Sequence, residues 1–308
     1  MLPIKIDLPD GFLEEEVRCG YTVSREMKAV WAVELDLLAE FDRVCKKYGI
    51  TYFASGGTML GAVRHKGFIP WDDDIDLMMF RSEYDKLCEV ATKEFEKPYF
   101  FQTEYTDHGS LRGHAQLRNS MTTGILKSEL PWRYPFNQGI FMDIFPLDNV
   151  IPDQGLFEKQ AKEALRFRKR YQRLAKLSVR YSDLPGNGPK AVLKRFAHSL
   201  CAPWIERKDL CRNAYRQFEA TCQRYNHQDT EMVSTLSFQF RNQQHFKYRS
   251  DYTEIIEVPF EFTMIPIGKE FDHALKTRYG NYMEFEVGTS IHSGVVLDAE
   301  KPYTEYLS

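Results

Sequence analysis

Four aspartates within five residues, Asp72, Asp73, Asp74 and Asp76, run straight into the apolar stretch Leu77, Met78, Met79 and Phe80. Charge at one end and unbroken apolar character at the other fit a strand whose far end is buried and whose near end opens onto a site. If 72–80 is extended throughout, Asp72, Asp74 and Asp76 share one face while Ile75 and Leu77 take the other. Carboxylates crowded on one face repel, and without a compensating cation some take up protons. A divalent cation removes that conflict, and Mg²⁺ prefers one or two carboxylates together with water and substrate phosphates. A solvated acidic loop is the plainer reading of a generic acidic cluster. The strand pattern and the neighbouring segments favour a metal site here.

Upstream, ITYFAS (50–55) reads as a short strand, Gly56-Gly57 as a tight turn and TMLGAVRH (58–65) as a helix start. Glycines let backbone approach a phosphate closely, and the N–H groups at a helix start favour an anion. Arg64, His65 and Lys66 add charge suited to a donor's phosphates. Downstream, Asp143 interrupts the apolar run Ile140, Phe141, Met142, Ile144 and Phe145. A carboxylate buried in mid-strand costs several kcal/mol unless it is partnered, by a shared metal or a substrate hydroxyl. Asp148, beyond Pro146, is expected to be a structural residue of a loop. Arg118 in AQLRNS (115–120) is a further candidate for phosphate binding.

Around these segments the pattern is mixed. Residues 24–48 carry apolar side chains at helical spacing between a Ser24 cap and a Gly49 stop, and a second helix is expected over 82–95 with Ser82 as its cap. Short strands are expected at 99–104, 113–118 and 139–145. Helical patterns then occupy 154–181 and 190–226, separated by the Pro- and Gly-rich break SDLPGNGPK (182–190). VPFEF and TMIPI look like a returning strand pair, and a last helix stops at Gly280. The expectation is an α/β fold with a mixed sheet over 20–150 and a mainly helical lobe over 151–308, the cleft lying between them.

At 308 residues the chain has room for about two domains. Lys and Arg total 41 against 44 Asp and Glu, a balance that argues against bulk nucleic-acid binding. Neither a signal peptide nor a membrane-spanning run is evident, so a cytoplasmic protein is expected. The six cysteines lack zinc-type spacing and read as reduced, buried thiols. The helix over 157–181 carries nine basic residues against two acids. It is either a solvated face or a surface for an anionic acceptor or the inner face of a membrane. His227, His292 and the many aromatic residues receive no role from the sequence.

The segment ASGGTMLGAVRHKGFIPWDDDIDLMM (54–79) followed by GIFMDIFPLD (139–148) resembles the LicD family of phosphotransferases, which includes the fukutin-related proteins. That family belongs to a nucleotidyltransferase superfamily resembling DNA polymerase β. The similarity is dense over 50–150, and YGNYM (279–283) resembles a family segment near the C-terminus. The resemblance implies that Gly56, Gly57 and Thr58 form the phosphate-cradling turn. It implies that Asp74 and Asp76 are the metal-binding pair, with Asp143 as third carboxylate and Asp72 as an auxiliary ligand; Arg64 falls within the shared motif. It further implies Mg²⁺ or Mn²⁺ as cofactor, a CDP-alcohol such as CDP-choline as donor, and a glycan or lipid-linked oligosaccharide as acceptor, as in teichoic acid, lipopolysaccharide or capsule assembly.

Two departures stand against a full transfer. The chain lacks a Cys-rich zinc insertion of the fukutin-related kind, and its ending (288–308) departs from the basic, histidine-containing ending associated with phosphocholine transferases. Nucleotidyl transfer from a nucleoside triphosphate and a non-catalytic glycan-binding scaffold are the alternatives. The leaving group separates the first from phosphoalcohol transfer, and the intact acids argue against the second.

Overall fold

A computed structural model describes residues 2–110, 112–132, 134–180, 184, 186–238, 240, 246–284 and 294–307. The chain opens with a hairpin of β1 (Glu16–Arg18) and β2 (Tyr21–Val23). It continues through α1 (Arg25–Tyr48), β3 (Phe53–Ala54), α2 (Gly56–Arg64), β4 (Asp76–Phe80), α3 (Arg81–Glu94), β5 (Tyr99–Gln102), β6 (Ala115–Asn119), β7 (Thr123–Leu126) and β8 (Ile140–Val150). The helices α4 (Gln154–Ala175), α5 (Pro189–Arg207) and α6 (Leu210–Cys222) follow, a π-helical turn Lys176–Arg180 extending α4. Then come β9 (Met232–Ser234), β10 (Lys247–Tyr248), β11 (Ile255–Phe260), β12 (Thr263–Gly268), α7 (Phe271–Tyr279), β13 (Val295–Asp298) and α8 (Tyr303–Leu307).

The fold is mixed α/β. A central sheet runs in the order β10-β9-β8-β4-β3, with β6 also on β8 and β5 on β6. Within it β4 and β8 are parallel, whereas β3, β6 and β9 join antiparallel. The separate pairs β11–β12 and β7–β13 complete the strands.

α1 forms for reasons visible in its sequence. The Ser24 hydroxyl accepts the Met27 N–H at 3.3 Å, and Gly49, in the left-handed region at φ 61°, closes the C-terminus onto the Cys45 and Lys46 carbonyls. Trp31 stacks on Phe68 at 4.6 Å, and Leu35, Leu38 and Phe41 are buried with it against the sheet, each contributing about 1.5–3 kcal/mol. A second apolar core joins α4, α6 and Ile205 of α5. The segment from Ile255 onward returns to the first core through Phe260, Ile265, Ile267 and Leu275, and among the described residues none of its apolar side chains joins the helical core. No described helix is long and apolar enough to cross a membrane.

Four expectations change. Gly56 and Gly57, expected as a tight turn ahead of a helix from Thr58, are the first residues of α2, which Ser55 precedes. The strand expected over 72–80 begins only at Asp76, and Asp72, Asp73 and Asp74 belong to the loop before it. α3 begins at Arg81, so Ser82 is not its cap. β8 runs on through Pro146 to Val150, which makes Asp148 a strand residue. The sheet accommodates the proline for a specific reason. Asp143 donates its N–H to Ile75 O on the β4 side, so the alternation of a strand turns position 146 toward the other edge. There β6 pairing ends at Ile144 and β9 pairing begins at Asp148, and the missing N–H faces the gap.

Candidate active site

The site is built where β4, β8 and the start of α2 meet. Asp76 and Asp143 are register partners in the parallel pair, so their side chains leave the same face of the sheet. Asp76 opens β4 because both of its backbone groups are held: its N–H donates to Thr58 Oγ1 at 2.8 Å, and its carbonyl accepts the Ser55 N–H at 2.9 Å. Thr58 thus secures the strand start from beneath; its hydroxyl is spent on Asp76.

The acidic loop is fixed from α1. Trp31 Nε1 donates to Asp72 O at 3.0 Å, and one carboxylate oxygen each from Asp72, Asp73 and Asp74 lies within 4.8 Å of the others. Burial, followed by the charges of Asp76, Asp72, Asp143 and Asp73, holds the Asp74 carboxyl well above the usual carboxylate range. Glu34 of α1, 1 % exposed, lines the same small cavity as Asp73 and Asp74. Its carboxyl is likewise raised by burial and by the four aspartates, and its Oε2 has no hydrogen-bond partner among the described residues.

Asp143 lies in the opposite electrostatic situation. Gln116 Nε2 donates to its Oδ1 at 2.6 Å, and His114 Nε2 stands 3.1 Å from the same oxygen as an electrostatic contact. Burial opposes ionisation, but His114, Gln116 and Arg112 outweigh it and hold the carboxyl below its usual value. One acid of the site is kept charged while its neighbour Asp74 is pressed to take up a proton.

The glycine turn closes against these acids. Gly56 adopts φ 51°, and a Cβ on Gly57 would sit 2.7 Å from Asp72 Oδ2, so a side chain there would displace the Asp72 carboxylate. On the other flank of the turn, Gly56 shares a cleft with Lys247, Tyr248, Tyr252 and Arg278. Burial and the Arg278 charge push the Lys247 ammonium down to about 8, against the attraction of Asp76. The arrangement offers carboxylates for a cation and two basic groups with backbone N–H donors for an anion beside it.

Other residues proposed from sequence lie elsewhere. Arg64, His65 and Lys66 occupy the far end of α2, about 12 Å along the helix from its first residue. Arg64 Nη1 donates to Tyr282 O at 2.8 Å. His65 is pushed down to about 4 by burial, Arg64 and Arg18, so it brings no charge near neutral pH. Arg118 is 1 % exposed and does not face a phosphate site. Its guanidinium donates to Gln102, to Gly139 O and, at 2.5 Å, to Gln116 Oε1, which orients the Gln116 amide toward Asp143. His292 lies outside the described residues, and His227 stands beside Gln228 at 3.4 Å on the surface.

Sequence reasoning missed Glu34, Gln116, His114, Lys247 and Arg278. Glu34 carried the signal that singled out Asp143, a carboxylate set among apolar positions, here three residues after Trp31 on the buried stripe of α1. The two basic residues had no local signal. The structure also gathers Glu104, His108 and Cys211, donor atoms within 4.8 Å of one another, from segments that no spacing rule connects.

A family model described as LicD/FKTN/FKRP, nucleotidyltransferase domain, matches residues 49–173. Lipopolysaccharide cholinephosphotransferase LicD of Haemophilus influenzae is 27 % identical over 257 residues, 81 % of this chain and 88 % of that protein. Ribitol 5-phosphate transferase FKRP of Mus musculus is 29 % identical over 126 residues, 33 % of this chain and 26 % of that protein. Residues 49–173 therefore match the LicD/FKTN/FKRP nucleotidyltransferase domain, and the similarity across most of the chain supports a transferase of phosphate-containing groups.

Proposed function

We propose that the protein moves phosphocholine from CDP-choline to a sugar hydroxyl of a cell-surface glycan precursor. The sugar oxygen forms the new bond to phosphorus, the bond from that phosphorus to the bridging oxygen of CMP breaks, and CMP leaves. The observation that carries the reading is the Asp76–Asp143 register pair, set between an acidic loop and a glycine turn with Lys247 and Arg278 on its far flank. The name of the Haemophilus influenzae relative supports choline and a lipopolysaccharide acceptor, and that of the mouse relative supports a phosphorylated alcohol as the group transferred.

The donor set fits a divalent cation. The unpartnered Glu34 Oε2 and the raised Asp74 carboxyl are what an uncompensated cluster of acids produces, and Asp72, Asp74, Asp76 and Asp143 are the residues that would hold Mg²⁺ or Mn²⁺. Such an ion neutralises charge on the donor's pyrophosphate. The chain does the positioning. The N–H groups of the Gly56–Gly57 turn, Lys247 and Arg278 bind phosphate oxygens and align the donor. His114 and Gln116 keep Asp143 ionised, so it balances charge and orients the attacking hydroxyl, whose proton it accepts as the new bond to phosphorus forms.

The test is a binding titration of the purified protein against CDP-choline, CDP-ribitol, CDP-glycerol, CTP and ATP, with and without Mg²⁺. Mg²⁺-dependent binding of CDP-choline, abolished by Asp76→Ala, is the expected result. Preference for a triphosphate would reassign the chain to nucleotidyl transfer, and absence of any nucleotide binding would point to a scaffold.

A further inference from the structure

The helix α5 is apolar on two opposite faces. His198, Ala202 and Ile205 form the inner face: Ala202 and Ile205 are buried, and His198 Nε2 is 2.9 Å from Ser178 O in the π-helical turn. Half a turn away, Val192, Leu193, Phe196, Leu200 and Trp204 are 52 to 66 % exposed. Their spacing puts them on a single stripe about 18 Å long. No described element covers it, and five large apolar side chains in one stripe exceed the scattered exposure normal for a protein surface. Basic residues border it. Arg207 continues the same face two turns after Leu200 and Lys190 stands at the N-terminal end, both exposed.

We propose that this surface docks the protein onto an anionic bilayer, with the α5 stripe lying in the headgroup region and the basic border meeting lipid phosphates. Apolar residues that include Trp, Phe and Leu beside Lys and Arg are what an interfacial helix requires. A second copy of the chain is the less favourable occupant, because pairing the stripe with itself would bring two basic borders together. The surface also connects with the active site. Gly109 packs on Val179 of the π-helical turn so closely that a Cβ would lie 2.8 Å away, and Gly109 belongs to the β5–β6 connection that carries His114 to Asp143. Docking would hold the site near a membrane-borne acceptor, a consequence that rests on the function proposed above; the docking itself does not.

The experiment is co-sedimentation of the full chain with phosphatidylcholine vesicles, with and without phosphatidylglycerol. Binding is expected only where phosphatidylglycerol is present. Phe196→Ser/Leu200→Ser should lower the partition coefficient about a hundredfold. Lys190→Glu/Arg207→Glu should weaken binding to anionic vesicles about tenfold or more. Both variants should keep the parent melting temperature and CDP-choline affinity, which separates failure of docking from failure of the proposed function. No binding of the parent chain to anionic vesicles, or equal binding by the serine variant, would overturn the proposal. So would a solution dimer that becomes monomeric in the serine variant.

Discussion

Asp76 and Asp143 meet as direct partners across the parallel pairing of β4 with β8, so two acids remote in sequence leave one face of the sheet side by side. Each is isosteric with Asn, and neither substitution empties a packed core. Asp76→Asn and Asp143→Asn are expected to lower kcat for the proposed phosphocholine transfer about a hundredfold to a thousandfold with little change in melting temperature. A CMP-release assay checks this, and near-parent turnover in either variant would remove the pair from the chemistry.

Gln116 is buried, donating its amide to Asp143 Oδ1 and accepting from Arg118, so it acts through Asp143. Gln116→Leu is therefore expected to weaken Mg²⁺ dependence or activity by about 10–100-fold. The conservative Gln116→Glu would place a second carboxylate against Asp143 and should be worse than leucine. The ratio of the two variants across a Mg²⁺ titration distinguishes orientation from mere bulk.

Glu34 is a buried carboxyl facing four aspartates with one oxygen unpartnered. Without divalent cation, Glu34→Gln should relieve repulsion and raise the melting temperature by about 2–3 °C. With Mg²⁺ added, the same variant should gain less stabilisation than the parent. Thermal melts at matched pH, with and without Mg²⁺, read both effects at once.

His65 titrates at about 4 against an ordinary value of 6.5, lowered by burial and then by Arg64 and Arg18. Between those values the unfolded chain binds more protons than the folded one. This contribution to stability is therefore complete above 6.5 and is lost as the pH falls toward 4. In His65→Gln, urea midpoints measured across that window should fall less steeply than in the parent.

Arg81 and Asp148 form a buried fork, Nε to Oδ1 and Nη2 to Oδ2 each at 2.8 Å, with Asn226 donating to Oδ1 and Glu219 at 3.3 Å from Arg81. The pair ties α3 to β8 and reaches α6. Asp148→Ala strands a buried guanidinium and should cost about 3–5 kcal/mol in urea unfolding. Replacing both partners, as Arg81→Met/Asp148→Leu, should recover most of that loss.

What the sequence determined by itself was local. The cap at Ser24, the stop at Gly49, the glycine pair that opens α2 and the apolar run after Asp76 are set by residues within a few positions of one another. Asp143 was legible because a lone carboxylate in an apolar strand demands a partner. The tertiary structure decided who the partners are. The register of β4 on β8 depends on pairing between remote segments; it brings Asp143 beside Asp76 and lets β8 continue through Pro146 into the gap between β6 and β9. Burial then divided the charges: Arg118 went inward to support Gln116, Glu34 joined the acids from α1, and Lys247 and Arg278 were delivered to Gly56 from the far end of the chain. Charge and chemical type are written in the residue, but exposure and electrostatic neighbours arise only when remote segments pack, and these select which of many similar charges serve the site.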